Sequence, residues 1–185
     1  MNKSVGVLSL TETPHHPLMW SHYSNNHTGL VIEFDPDHEF FFAEGAAAEM
    51  GGLHKVQYAA QRPKFDVLFD MGMVDASPEQ IKEWVDKVSF TKSKDWEYEG
   101  EWRMLKPSKD ATTVHTTDAV GIHLFKLPSA CIKSVILGQR MSATLKQEMV
   151  LSLRADTRYA DLLISEAYSS DEDFKIEVGP YPIAR

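Results

Sequence analysis

The stretch Lys94-Asp95-Trp96-Glu97-Tyr98-Glu99-Gly100-Glu101-Trp102-Arg103-Met104-Leu105 decides how this chain is read. Taken as a strand over 96–105, its side chains alternate between two faces. Tyr98, Gly100, Trp102 and Met104 project to one face, which has the composition of a core, and Trp102 and Met104 are expected to be buried there. Glu97, Glu99, Glu101 and Arg103 project to the other. Three acids beside one arginine make either a solvated face held by cross-strand pairs or a site. In a site, Glu99 or Glu101 is a base or accepts a ribose hydroxyl, and Arg103 pairs with an anionic group. Crowded carboxylates in a cleft would also raise one pKa toward the useful range.

On either side of this stretch, further strands are expected at 5–10, 29–34, 53–58, 122–126, 133–138, 162–165 and 174–178, where apolar and β-branched residues dominate. A short helix or turn is expected at 18–24, and a helical turn at 39–42. The Ala- and Gly-rich 44–52 reads as a loop. Ser77, Pro78 and Gln80 form the start of a helix with a capping box. In that helix Ile81, Trp84, Val85 and Val88 follow helical spacing and are expected to face the core. Ser142 caps a second helix, with Leu145, Met149, Leu151 and Leu153 as its apolar positions. Strands outnumber helices and do not alternate strictly with them. The expected fold class is α+β, with a mixed or mostly antiparallel sheet and a few short helices. One domain is expected over 1–185, with C-terminal strands in 156–185.

Composition narrows the function. The chain has 185 residues, is 43% hydrophobic and 25% charged, and carries a formal net charge of −8. That sign repels phosphate backbones, and the 19 Lys and Arg residues are scattered, so long nucleic acids are not expected partners. No apolar run reaches the ~20 residues of a membrane span. The start lacks the long apolar region of a signal peptide, so a cytoplasmic location is expected. The single cysteine, Cys131, reads as a small buried hydrophobe.

A second cluster lies at His15-His16-Pro17-Leu18-Met19-Trp20-Ser21-His22-Tyr23-Ser24-Asn25-Asn26-His27, with four of the eight histidines. Their spacings suit metal ligation poorly, and no metal is expected. A single histidine, His22, serves better as a general base. Hydrogen bonding in a helix–strand corner would account for His22 and Tyr23 equally well. Trp20 follows Leu18 and Met19 and is expected to be mostly buried. The turn Leu137-Gly138-Gln139-Arg140-Met141-Ser142 reads as a tight strand-to-helix connection; it lacks the glycines of a phosphate loop.

These residues carry a resemblance. Ser9-Leu10-Thr11-Glu12, Leu18-Met19-Trp20-Ser21-His22-Tyr23 and Asn26-His27-Thr28-Gly29, followed by a strand ending Glu33-Phe34-Asp35, resemble the first signature of the bacterial family called domain of unknown function 2971. The Trp96-x-Tyr98-Glu99-x-Glu101-x-Arg103 segment resembles its second signature. Ile132-Lys133-Ser134-Val135-Ile136-Leu137-Gly138 resembles its third, and the resemblance implies a family-like core over about 5–155. Members usually begin with a further segment bearing an Asn-Asp-Pro-Phe-type motif. This chain is expected to lack that segment, as a short variant or a truncated form.

The Glu-x-Glu pair is also similar to the catalytic element of ADP-ribosyltransferases. That similarity implies Glu101 as ribose ligand and Glu99 as its partner, with NAD as cofactor. Trp20, Tyr23 or Tyr98 would stack on the nicotinamide or adenine, and Arg103 would meet a phosphate. The expected catalytic residues are thus Glu101, Glu99 and His22, with Arg103, Tyr23 and Trp20 as ligand contacts. The first function is a nucleotide- or NAD-handling enzyme in which His22 and the Glu99/Glu101/Arg103 face share one concavity. The alternative is a non-catalytic binding or interaction module, a sensor or a partner in a defence or toxin system. There an exposed acidic face would meet a basic protein.

Overall fold

The computed structural model describes residues 5–42, 51–64, 77–117 and 120–182. The fold is α+β. β1 (Val5–Thr11) leads to the short helix α1 (Pro17–Tyr23) and then β2 (Leu30–Phe34). β3 (Leu53–Lys55) and β4 (Gln57–Ala59) are separated only by the buried Val56. Helix α2 (Pro78–Phe90) runs into β5 (Thr91–Ser93), and β6 spans Glu101–Pro107. The hairpin of β7 (Thr113–Thr117) and β8 (Val120–Leu124) comes next. β9 (Ile132–Leu137), helix α3 (Ala143–Ala155), β10 (Leu163–Ser169) and β11 (Ile176–Pro180) complete the described chain.

Two sheets organise these elements. An antiparallel sheet has the order β1–β6–β3, with Ser9 and His54 both facing Arg103 across the ladder. A mixed sheet has the order β11–β10–β9–β2, in which only the β9–β10 pair is parallel. β4 and β5 form a separate parallel pair.

β9 shows why both faces of the mixed sheet are covered. Val135 and Leu137 point to one side and pack with Met141, Val150 and Ile164 beneath α3. Ile136 points to the other and packs with Trp20, Ala167 and Ile176. Each fully buried side chain of this kind contributes about 1.5–3 kcal/mol. A third cluster, Phe41, Met104 and Cys131, sits under the β1–β6–β3 sheet. Cys131 is fully buried there as expected, and burial raises its thiol pKa.

The capping box at the start of α2 forms as expected, with Ser77 accepting from the Gln80 backbone N–H. The helix turns less of its apolar surface inward than the spacing predicts. Ile81 and Val88 are exposed, while Phe90 is buried. In α3, Val150 and the stem of Lys146 are buried, while Leu145 and Leu151 face outward. Lys146 forms an ion pair with Glu166 on β10. Long amphipathic stems of this kind fill apolar space while the charge meets a partner. The expected loop at 44–52 lies mostly outside the described residues.

The corner between α1 and β2 is set by its backbone. Asn25, Asn26 and His27 all have left-handed φ angles, of 50°, 54° and 68°. Each such residue costs roughly 1–2 kcal/mol in a non-glycine chain, least for Asn. Compensating bonds are present: His27 N–H donates to the Trp20 carbonyl at 3.2 Å, and Arg140 N–H to the His27 carbonyl at 2.9 Å. The Ser21 hydroxyl and His27 Nε2 are 3.1 Å apart. Burial, then the nearby Arg140 charge, lowers the His27 pKa. This corner fixes α1 against β9, where Gly138 is required: a Cβ there would lie 2.3 Å from the His27 carbonyl oxygen. The expected tight connection at Gly138 therefore serves close backbone approach.

Candidate functional site

The decisive stretch is only half a strand. Lys94–Glu99 forms two turns of 3₁₀ helix, and the strand starts at Glu101. The local chemistry explains the correction. The Ser93 hydroxyl accepts from the Asp95 N–H as an N-cap. Gly100, at φ 49°, ends the helix with its N–H on the Glu97 carbonyl. The period-two alternation therefore holds only from Glu101 onward. Met104 is fully buried as expected, but Trp102 is only half-buried, its indole N–H donating to Glu12 at 2.9 Å.

Glu99 and Glu101 are both buried, and each is paired. Lys92, from β5, places its ammonium between them: it donates to Glu101 at 2.8 Å and to Glu99. Arg103 grips Glu101 with two bonds, Nε at 2.7 Å and Nη2 at 3.0 Å, and its Nη1 donates to the Ser89 carbonyl in α2. Burial alone would raise the Glu101 pKa, but bonds from Arg103, Lys92 and Ser9 outweigh it and hold the carboxyl at about 2. Desolvation likewise pulls the Lys92 pKa down, and its two carboxylates more than restore it, so Lys92 is cationic. Two carboxylates and two cations thus neutralise one another.

Glu99 has a different second partner. The Tyr23 hydroxyl, at the end of α1, donates to its Oε1 at 2.8 Å. Tyr23 is 63% exposed overall, yet partial burial still acts on its phenol. That burial, then the bond and charge of Glu99, raises the phenol's pKa, and it remains a donor at neutral pH. Thr11, on β1, donates to the Glu99 carbonyl at 2.6 Å. The Tyr58 hydroxyl accepts from the Glu101 N–H at 2.8 Å. Elements from 11 to 103 therefore converge on one short segment.

Beside this network runs a row of rings. His16 stacks on Tyr98 with centroids 4.8 Å apart, and Tyr98 lies 5.9 Å from Trp96. Trp96 is 6.1 Å from His22, and His22 is 6.2 Å from Tyr23. The ammonium of Lys92 sits 5.3 Å from the Trp96 ring centre, joining row to network. Trp96, His22 and Tyr23 are exposed.

The expected site residues are thus partly brought together. Tyr23, Glu99, Glu101 and Arg103 belong to one hydrogen-bonded system. His22 reaches it through the Trp96 ring, with no hydrogen bond to any of the three charged side chains among the described residues. Trp20 lies elsewhere. It is 1% exposed, donates to the Pro14 carbonyl at 2.6 Å and packs with Ile136, Ala167 and Ile176. Its burial was expected, and that burial leaves no ring face for a ligand. Lys92, Trp96 and His16 are the residues that sequence reasoning passed over. The signal for Lys92 was slight: one lysine between a helix end and a capping serine.

A cleft of about 560 Å³ lies between α2 and β3–β5, lined by His54, Lys55, Gln57, Lys82, Phe90 and Thr91 among others. Its lining includes none of His22, Tyr23, Glu99, Glu101 or Arg103. Among the described residues, no three His, Cys, Asp or Glu side chains are grouped to hold a metal ion. No helix among them is long and apolar enough to cross a membrane.

The profile of a family described as "Protein of unknown function (DUF2971)" matches residues 19–104, just under half of the chain. The chain resembles that family. The match takes in the Trp-Ser-His-Tyr corner and the Trp96–Arg103 segment; the stretch at 132–138 lies beyond it. No curated protein and no solved structure gives a match.

Proposed function

We propose that this chain is a binding module for a nucleotide-type small molecule, held where the aromatic row meets Glu99, Tyr23 and Lys92. One observation carries the reading. A buried carboxylate, Glu99, is bonded by the hydroxyl of the largely exposed Tyr23, at the end of a row of rings in which Trp96, His22 and Tyr23 are exposed. Rings suit a base, and a carboxylate beside a hydroxyl suits the donors of a ribose. A ligand hydroxyl can take the place of the Tyr23 hydroxyl on Glu99 Oε1. Tyr23, exposed over most of its surface, is free to turn away.

Binding is favoured over turnover by the state of Glu101. Its oxygens are engaged by Arg103, Lys92 and Ser9, and a carboxyl held at about 2 is a weak base at neutral pH. An ADP-ribosyltransferase-like reaction would need Glu101 to release one of those partners to a ribose hydroxyl. Within that second reading, Glu99 is the better ribose acceptor and NAD the ligand to try first. An acidic face for a basic protein partner has less support, because Glu99 and Glu101 are buried and paired. The reading takes the protein as bacterial and cytoplasmic.

The test is a calorimetric and thermal-shift screen of AMP, ADP, ATP and NAD. At least one should bind, and Glu99→Gln should weaken it about tenfold or more, the loss expected for a charge-assisted hydrogen bond. If none binds, the nucleotide reading falls. Turnover of NAD by the wild type, lost in Glu99→Gln, would favour the enzyme reading.

A further inference from the structure

We infer that the row His16–Tyr98–Trp96–His22–Tyr23 recognises the ring of the ligand and that phosphate adds nothing, so the ligand class is the nucleoside or free base. This deepens the proposed function and rests on it. Five rings succeed one another at centroid distances of 4.8 to 6.2 Å, and their relative tilts run from stacked to edge-on. Rings in such arrangements attract one another and any further planar π-system laid against them. Base stacking on aromatic side chains tolerates any base, because every base has a π-face.

The charges argue against phosphate. A phosphate site needs a cation or a bidentate guanidinium turned toward the ligand. Here both nearby cations of the network are turned inward. Arg103 gives Nε and Nη2 to Glu101 and Nη1 to the Ser89 carbonyl. Lys92 gives its ammonium to Glu99 and Glu101 and is mostly covered. The exposed charges on the turn that carries Trp96 and Tyr98 are Lys94, Asp95 and Glu97, acidic on balance. Lys55, the cation on β3, is taken by Glu12. The chain as a whole is at −8. A polyphosphate approaching this surface meets a repulsive field, strongest at low salt. An uncharged nucleoside does not.

The test is an equilibrium titration by calorimetry of adenosine, AMP and ATP at low and at physiological salt. Wild type is compared with Trp96→Leu and Tyr98→Leu. Adenosine should bind at least as tightly as AMP. ATP should bind several-fold more weakly at low salt, with the gap narrowing as salt rises. Each ring variant should weaken adenosine about tenfold, the scale of one lost stacking partner. Trp96 is exposed, and a urea melt matching wild type confirms that Trp96→Leu still folds; Tyr98→Leu is the second, independent probe of the row. AMP or ATP binding tenfold more tightly than adenosine would overturn the inference and leave the nucleotide reading standing. Unchanged adenosine affinity in both ring variants, with loss in Glu99→Gln, would also overturn it. Failure of all three ligands, and of NAD, would take the proposed function with it.

Discussion

Two sets of ion pairs in this molecule use the same residue types to different ends. On α2, Lys82 pairs with Asp86 and Lys87 with Glu83, each four residues apart on a helix in contact with water. Around β6, Lys92, Glu99, Glu101 and Arg103 come from a strand, a 3₁₀ turn and a second strand, and the two carboxylates are buried. Surface pairs gain little, because water screens the attraction and two long side chains must be held still. Buried ions cannot be left alone: removing one partner strands the other in a low-dielectric setting. Glu83 and Glu101 look alike in the sequence; their partners' origins and their exposure give them opposite weight.

The strongest test of that contrast is Glu101→Gln. It removes the charge that holds Arg103 and Lys92 and should cost about 3 kcal/mol of stability in urea denaturation. A residue serving only a solvated site would leave the midpoint nearly unchanged. A loss under about 1 kcal/mol would erase the difference between the two sets.

Acid provides a second test of similar size. The Glu101 carboxyl titrates at about 2 in the folded chain, against about 4.3 when unfolded. Because the folded value is depressed, its stabilisation is complete above the unfolded value and disappears as pH falls through about 2. The contribution is on the order of 3 kcal/mol. Urea midpoints measured at about pH 6, 4 and 2.5 should fall for the wild type and fall less for Glu101→Gln. Parallel curves would mean that some other carboxylate governs acid unfolding.

Tyr23→Phe should cost about 1 kcal/mol, since it removes one bond to Glu99 while Lys92 keeps that carboxylate paired. A cost near that of Glu101→Gln would make Tyr23 part of the buried framework rather than its exposed end. The smallest effect is expected on α2. Lys87→Gln should leave the thermal midpoint within error of the wild type. A measurable drop there would show that the helix pairs are more than surface pairs.

Much of the scaffold was legible because its signals are local. Ser77-Pro78-x-Gln80 announces the start of α2, and the apolar run around Ile136 announces β9. The 3₁₀ turn was hidden by a coincidence. Glu97, Glu99 and Glu101 alternate like strand residues, and that pattern outweighed Ser93 and Gly100, the cap and stop that mark the turn. Trp20, Tyr23, Glu99, Glu101 and Arg103 stand out by residue type, but their partners were out of reach. Tyr23 and Glu99 are 76 residues apart in sequence, and nothing local in either segment names the other. Lys92 stayed invisible for the same reason: its importance is set by what folds over it. The exposure of Ile81 and Val88 shows the converse limit. Helical spacing gives an apolar stripe, and only packing decides how much of it is covered.

Strand pairing has a consequence for anyone wishing to cut this chain. The family resemblance runs from residue 19 to residue 104, and it is natural to clone between those limits. Yet β2 takes its ladder from β9, and β6 takes one of its two from β1. Both partners lie outside the matched segment. A fragment trimmed to the resemblance would keep Tyr23, Lys92, Glu99, Glu101 and Arg103 but drop Ser9 and Thr11, and it would carry two raw edges. Recognisable sequence and foldable unit have different borders here, and expression of the shorter piece is expected to yield aggregate rather than a working minimal site.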